Sequence, residues 1–374
     1  MSKAIYLDYQ ATTPFAPEAF AAMEPWLKDK FWNPHSAHTG GRQAAAAVEV
    51  AREQVAALLP AGGRVIFTSG ATEAINLAIK GCGLPVTALA TEHAAVLDCV
   101  EFLGGDVLRV GKDGLSITPF ASSAVEMPLG RALPMGVSTS LDTNGFLFAA
   151  MLINNEIGTI QPIAEIAEFV HAENGLLLCD AVQAFGRVAI PNGPDLIAIS
   201  AHKIHGPKGI GALWVRDGIN LSPLIHGGGQ EQGLRSGTLS PALCAGFGAA
   251  AQLAAKRMQA DAAHVETLWN CATELFADWT INGSMTHRYK GNLNIRRNGI
   301  DVARLMSECR EVMFSAGSAC ASGSGRPSHV LRAIGLSDAQ AKSSIRLGWG
   351  CYTTMEEIER AAQIINAAAE RQLA

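Results

Sequence analysis

Charge is scarce in this chain. Only 17% of its 374 residues are Asp, Glu, Lys or Arg, while 48% are hydrophobic; an ordinary soluble domain carries about 25% charged residues. That balance excludes a disordered or solvating chain and requires a large buried interior. No run of Lys and Arg is long enough for a nucleic-acid stripe, and the formal net charge is −5, so direct binding to a polyanion is not expected. Long apolar runs are missing too. A stretch such as Phe146-Leu-Phe-Ala-Ala-Met-Leu-Ile153 is far short of a membrane span. Residues Met1 to Asp8 hold neither an apolar signal region nor an Arg-rich transit pattern. The expectation is a cytoplasmic protein with no membrane segment.

The eight cysteines form no C-x-x-C pair. A chain of this length needs no disulfide staples, so reduced thiols are expected, most of them packed as small hydrophobes. Phosphate-loop and H-E-x-x-H motifs are absent. His35/His38 and His202/His205 have i, i+3 spacing, but no carboxylate or Cys set accompanies them, so no metal site is expected.

What is present is an alternation of strand-like and helix-like segments. Ala4–Leu7, Arg64–Thr68, Val86–Ala90, Leu147–Ile153, Leu176–Cys179, Leu196–Ile199 and Gly211–Val215 read as short apolar strands. Ala44–Leu59, Thr72–Lys80 and Pro162–Ala172 read as helices between them. This is the α/β pattern of a mostly parallel sheet covered on both faces, with ligands at the carboxyl ends of its strands. After about Ser240 the texture changes. A long Ala-rich helix, Ala242 to about Ala277, leads to a last strand–helix pair, Ser344–Leu347 and Met355–Gln372. A second, smaller α+β domain is expected there, with the extreme N-terminus packed against it. The segment Ser116–Ser140, rich in Ser, Ala, Gly and Pro, supports no assignment.

Three places carry chemistry. In Leu196 to Val215 an apolar strand ends at Ser200, and Lys203 follows in a polar turn before the next strand. A lysine fixed between buried strands is partly desolvated, its pKa falls, and the neutral amine can form a Schiff base with an aldehyde. Upstream, Asp180 ends a buried strand. A carboxylate there calls for a cation, and a protonated pyridine nitrogen is one; Gln183 can reach the ring's phenolic oxygen. In Phe67-Thr-Ser-Gly-Ala-Thr-Glu73 a strand meets a Gly turn and a helix start, an anion site that Thr72, Ser200 and His202 can complete around a phosphate. Singly, these are a surface lysine, a helix cap and a turn glycine. In order on one α/β chain they specify a pyridoxal phosphate site far better than any does singly. Ser200-Ala-His-Lys203 also fits the S-x-x-K motif of acylating serines, without that motif's companions S-D-N and K-T-G.

These motifs, with Asn33-Pro34…His38, Thr91-Glu-His93, Asn154-Asn-Glu-Ile-Gly158, Gly206-Pro-Lys-Gly209 and Arg235-Ser-Gly-Thr238, resemble the class V aminotransferase superfamily. The segment Ser315-Ala-Gly-Ser-Ala-Cys320-Ala-Ser322, followed by Arg326-Pro-Ser-His-Val-Leu-Arg332, narrows the resemblance to cysteine desulfurases of the NifS/IscS type, group I. It runs from about Tyr6 to about Thr354. It implies an α/β protein of pyridoxal phosphate fold-type I. A large cofactor-binding domain, 15–255, would hold a mostly parallel seven-stranded sheet. A smaller α+β domain, 1–14 and 256–374, would carry the Cys loop.

The resemblance also implies roles. Lys203 binds the cofactor covalently and moves protons at Cα, while His93 lies over the ring and assists. Asp180 holds the ring nitrogen and Gln183 the phenolic oxygen. Thr72, Ser200 and His202 bind phosphate, and Ala71 and Asn155 border the cofactor. Thr238 reaches the phosphate of the neighbouring protomer, which implies a homodimer. Asn155 and Arg346 hold the substrate carboxylate, for which an Arg fork is suited. Cys320 is the nucleophile that takes the sulfur.

Composition supports that last role independently. Ser, Ala and Gly dominate the residues around Cys320 and bury little apolar surface, so a mobile loop rather than a core thiol is expected. Cys179, on a strand, is expected to be packing. Ala316 stands where the family often has Ser, and Ser116–Ser140 departs from the family's pattern. The chain ends soon after its last helix, without the longer tail that relatives use to dock a cluster scaffold.

The activity expected is conversion of L-cysteine to L-alanine with a persulfide on Cys320. That sulfur would pass to an acceptor such as an iron–sulfur scaffold or sulfur carrier. An aminotransferase, a β-lyase or a selenocysteine lyase is the nearest rival, and a protein that chiefly presents persulfide to partners is another.

Overall fold

The computed structural model describes residues 4–117, 145–316 and 327–374. The chain opens with strand β1 (Ile5–Tyr6) and helices α1 (Pro17–Lys28) and α2 (Thr39–Ala56). It continues through β2 (Gly63–Thr68), α3 (Ala71–Cys82), β3 (Val86–Leu89), α4 (Ala94–Leu103) and β4 (Asp106–Leu108). Then come β5 (Leu147–Met151), α5 (Ile163–Ala172), β6 (Leu176–Asp180), β7 (Leu196–Ser200) and β8 (Gly211–Arg216). Helix α6 (Pro241–Leu275) leads to β9 (Thr280–Ile281), β10 (Asn292–Arg296), α7 (Val302–Glu308), β11 (Val312–Met313) and β12 (Ser315–Ala316). Helices α8 (His329–Ala333) and α9 (Asp338–Lys342), strand β13 (Ser344–Gly348) and helix α10 (Met355–Leu373) complete the described chain.

Strands β2 to β8 make a seven-stranded sheet in the order β2-β8-β7-β6-β5-β3-β4. All its pairings are parallel except those of β8, which is antiparallel to both β2 and β7. The carboxyl ends of β2, β3, β5, β6 and β7 therefore share one edge. Apolar side chains alternate between the two faces. Phe67, Phe148, Leu177, Ile197 and Trp214 pack with Val48 of α2 and Phe247 of α6. Ile66, Leu147, Leu178, Leu196 and Leu213 pack with Ile75 of α3 and Val96 of α4. Burial on both faces explains why these strands read as unbroken apolar runs.

A second core joins Trp269, Leu293, Phe314, Leu347, Trp349 and Ile365 around the sheet β12-β13-β10-β9. The N-terminal strand belongs to it, with Ile5 paired to Val312. Helix α6 passes from one core to the other. Phe247 and Ala250 belong to the first core, Leu268 and Trp269 to the second, and position 255 lies inside the helix. It starts where Ser240 accepts the Leu243 N–H and Pro241 occupies the first turn, the pattern of a strong helix start. Helix α8 returns to the first core through Val330, Leu331 and Ile334. Among the described residues no helix is long and apolar enough to cross a membrane.

Candidate active site

A cavity of about 670 Å³ opens at the shared carboxyl edge of the large sheet. Each contributor arrives there by the end of an element. Strand β6 delivers Asp180 and strand β7 delivers Ser200. A single 3-10 turn, Ala201–Lys203, then sets His202 and Lys203 beside them. Between β2 and α3 the chain turns at Gly70, and Ala71 and Thr72 begin the helix at the cavity wall. The turn fits because Gly211 of the adjoining strand has no side chain: a Cβ there would lie 2.8 Å from the Gly70 backbone. His93 caps α4, Asn155 follows β5, and Arg346 enters from β13 of the small sheet.

Lys203 is the centre. Its Nζ donates to the main-chain oxygens of Gln10 and Ala11, the latter at 2.8 Å. Burial pushes its ammonium down to about 7, helped by Arg187 and Arg346 and opposed by Asp8 and Asp180. A folded-state value near 7 leaves the amine protonated below it and free above it. Capture of pyridoxal 5'-phosphate by the cofactor-free protein is therefore expected to speed up as pH rises through about 7, in step with the neutral fraction. Stopped-flow absorbance between pH 5.5 and 9 checks this; a rate still climbing tenfold per pH unit at pH 9 would contradict it.

Asp180 is fully buried, and burial raises its carboxyl above the ordinary range against the pull of the Val182 N–H, His93 and Lys203. A cation close by would restore the ionised form. His93 Nδ1 accepts the Ala95 N–H at 3.1 Å, so the ring proton belongs on Nε2. Burial lowers its pKa against the pull of Asp180, with Lys203 and His329 acting in the same direction as burial, which favours the neutral ring. His202 is held down to about 4 by burial and by Lys203, Lys208 and Arg187, and its Nδ1 lies 3.1 Å from Thr12 Oγ1. It too enters the cavity as a neutral imidazole.

Arg346 is 1% exposed and holds its counter-ion, Asp8, at 2.7 Å. Its Nη1 donates to Asn155 O at 3.1 Å and Nη2 to Ser315 Oγ at 3.3 Å. Its Nε has no partner among the described residues, which leaves a buried donor for an incoming carboxylate. Removing one member of such a buried pair costs about 3–5 kcal/mol, so Asp8 supports the arginine as well as neutralising it.

These features fit pyridoxal 5'-phosphate. The lysine's ammonium is brought down to about 7, the Asp180 carboxyl is buried and raised, and α3 starts at Gly70 without a side-chain cap. Gln183 also lines the cavity; its Nε2 donates to Gln10 O at 2.9 Å and its Oε1 accepts from Arg187.

Ten of the twelve site residues expected from the sequence thus meet in one cavity. Thr238 does not: it is exposed and outside the lining. Cys320 lies outside the described residues, as does most of the unassigned segment, at 118–144. The cavity also holds residues to which no role was attached. Lys208, Glu156 and His329 fall inside motifs that were recognised, and His329 Nε2 donates to Glu92 O at 2.9 Å. Gln10 and Ala11 gave no signal, because they act through main-chain oxygens nearly 200 residues from Lys203.

The chain is similar to known proteins. The profile of the aminotransferase class-V family matches residues 5–361. A protein named cysteine desulfurase IscS from Rickettsia akari (strain Hartford) is 40% identical, covering 96% of this chain and 90% of that protein. The protein of the same name from Rickettsia bellii (strain OSU 85-389) matches with the same identity and coverage. Among solved structures, a NifS-like protein from Rickettsia africae ESF-5 superposes with a TM-score of 0.85 at 28% identity, covering 98% of this chain and 99% of that one. The structure of SspA in complex with cysteine superposes with a TM-score of 0.76 at 34% identity, over 93% and 99% of the two chains.

Proposed function

The chain belongs to the class-V aminotransferase family, and on that premise we propose how its cavity performs L-cysteine desulfuration, with pyridoxal 5'-phosphate as cofactor, L-alanine as product and a persulfide left on Cys320. The observation that carries this reading is the convergence of Lys203, Asp180, the open start of α3 and Arg346 on one cavity. A similar protein, SspA, has been solved with cysteine.

Ala71, Thr72, Ser200 and His202 are the holders of the phosphate, Asp180 of the ring nitrogen and Gln183 of the phenolic oxygen. When bound, the cofactor supplies an electron sink that acidifies the substrate's Cα proton and loosens its Cβ–S bond. The protein supplies the rest. Arg346 and Asn155 orient the carboxylate, so that Cα faces Lys203. Lys203, whose ammonium is brought down to about 7, takes the Cα proton and can return it. Neutral His93, with its proton on Nε2, would lie beside the cofactor and help move protons. The Cys320 thiolate attacks the substrate sulfur: an S–S bond forms, the C–S bond breaks, and its electron pair returns to the substrate carbon. Protonation of that carbon gives alanine.

Sulfur then passes from Cys320 to an acceptor protein, for iron–sulfur cluster assembly or other sulfur transfer. A homodimer is part of the proposal. Thr238 stands exposed outside its own cavity, free to serve a neighbour's, and apolar Phe20, Leu27 and Phe31 are exposed on or just after α1. So is a cytoplasmic setting, supported by seven described cysteines that are all free.

The test is product analysis with L-cysteine, the cofactor and a reductant. Alanine and sulfide in equal amounts are expected. Pyruvate and ammonia would replace this reading with a β-lyase, and turnover of selenocysteine alone would make the protein a selenocysteine lyase.

A further inference from the structure

We propose that Glu73 and Arg235 are a positioning pair for the phosphate end of the cavity, in which Arg235 cancels the charge of a carboxylate that the turn itself requires. The inference rests on reading residues 69–72 as the phosphate holder.

Ser69, Gly70, Ala71 and Thr72 line the cavity, whereas neither Glu73 nor Arg235 does. Glu73 lies in the first turn of α3, and its Oε2 accepts the Ser69 N–H at 2.7 Å. That bond closes the turn behind the cavity wall. An acidic first turn suits a helix dipole while the N-terminus faces only water. Beside a phosphate the same carboxylate is a repelling charge, and it has taken one of the amides the anion could use.

Arg235 resolves the conflict. Its Nε donates to Glu73 Oε1 at 2.7 Å and its Nη2 to Oε2 at 3.2 Å, a two-pronged pair with both side chains less than a fifth exposed. Burial raises the Glu73 carboxyl, but Arg235 and the Ser69 N–H outweigh it and keep the group ionised. The arginine is itself held in place. The Ser236 N–H donates to Ile225 O at 3.1 Å, and the Gly237 N–H donates to Gln230 Oε1 at 2.8 Å. Gly237 has φ +126°, a conformation that favours glycine. Glu231 adds a second negative charge near Arg235. The pair thus acts through the turn, without touching the ligand.

The experiment titrates cofactor-free protein with pyridoxal 5'-phosphate and, separately, with pyridoxal, which lacks the phosphate. Arg235→Gln is expected to weaken pyridoxal 5'-phosphate binding about tenfold, the scale of one uncompensated charge acting across several ångström. It is expected to leave pyridoxal binding unchanged. Adding Glu73→Gln, which keeps an acceptor for the Ser69 N–H but removes the charge, should restore affinity in the double variant. Arg235→Lys should retain most of it. A double variant as weak as Arg235→Gln, or equal losses for both ligands, would overturn the proposal and leave the pair a mere staple. If Arg235→Gln does not fold, Arg235→Lys and the double variant carry the same comparison. Failure of the unaltered protein to prefer pyridoxal 5'-phosphate over pyridoxal would instead remove the reading of residues 69–72 as phosphate holder, and this inference with it.

Discussion

Cys320→Ala is expected to release no sulfide from L-cysteine while binding pyridoxal 5'-phosphate as tightly as the unaltered protein. The proposed site has two parts. The side chains proposed to hold cofactor and substrate meet in the cavity between the strand ends and Arg346. The proposed nucleophile is separate in sequence, on a stretch rich in Ser, Ala and Gly. Deleting the thiol should therefore leave cofactor affinity and substrate capture intact and remove only the sulfur acceptor. Loss of a covalent nucleophile costs at least about a thousandfold in turnover. The measurement pairs a sulfide assay with the cofactor's visible absorbance, with and without L-cysteine. Undiminished sulfide would assign the chemistry elsewhere. The seven described cysteines offer poor substitutes: burial raises the Cys179 thiol well above its ordinary value and pushes Cys351 up to about 11.

Lys203→Ala is expected to be the more damaging of the two. The variant should bind the cofactor only reversibly, lose it on desalting and turn over at least about ten-thousandfold more slowly. Lys208 lies in the same cavity but is exposed. Lys203 is the lysine whose burial brings its ammonium down to about 7. Lys203→Arg separates charge from nucleophilicity, because a guanidinium keeps its proton at any working pH; it should be as inactive as the alanine variant. An unchanged cofactor spectrum in either variant would refute the assignment.

The sheet was readable from sequence because its strands are buried on both faces and flanked by turns. Edge strand β4 was not, since Asp106, Val107 and Leu108 are all exposed and show no inward pattern. Helix α1 was missed for a related reason: Pro17 and Pro25 disguise its period, and only Ala19 and Met23 are buried. In the site, Asp180 and Lys203 could be found because a charge at the end of an apolar strand is costly and needs a reason. Asp8 could not. It meets Arg346 across 338 residues of chain, and nothing local in Tyr6-Leu-Asp-Tyr9 announces the partner. Thr238 shows a different limit: the role implied for it needs a second chain.

Ten residues, 317–326, join two different cores. Ala316 pairs with Ile345 in the small sheet, while Pro327 lines the cavity and Val330 packs under the large sheet. The proposed nucleophile therefore belongs to a stretch whose two ends are held by different sheets.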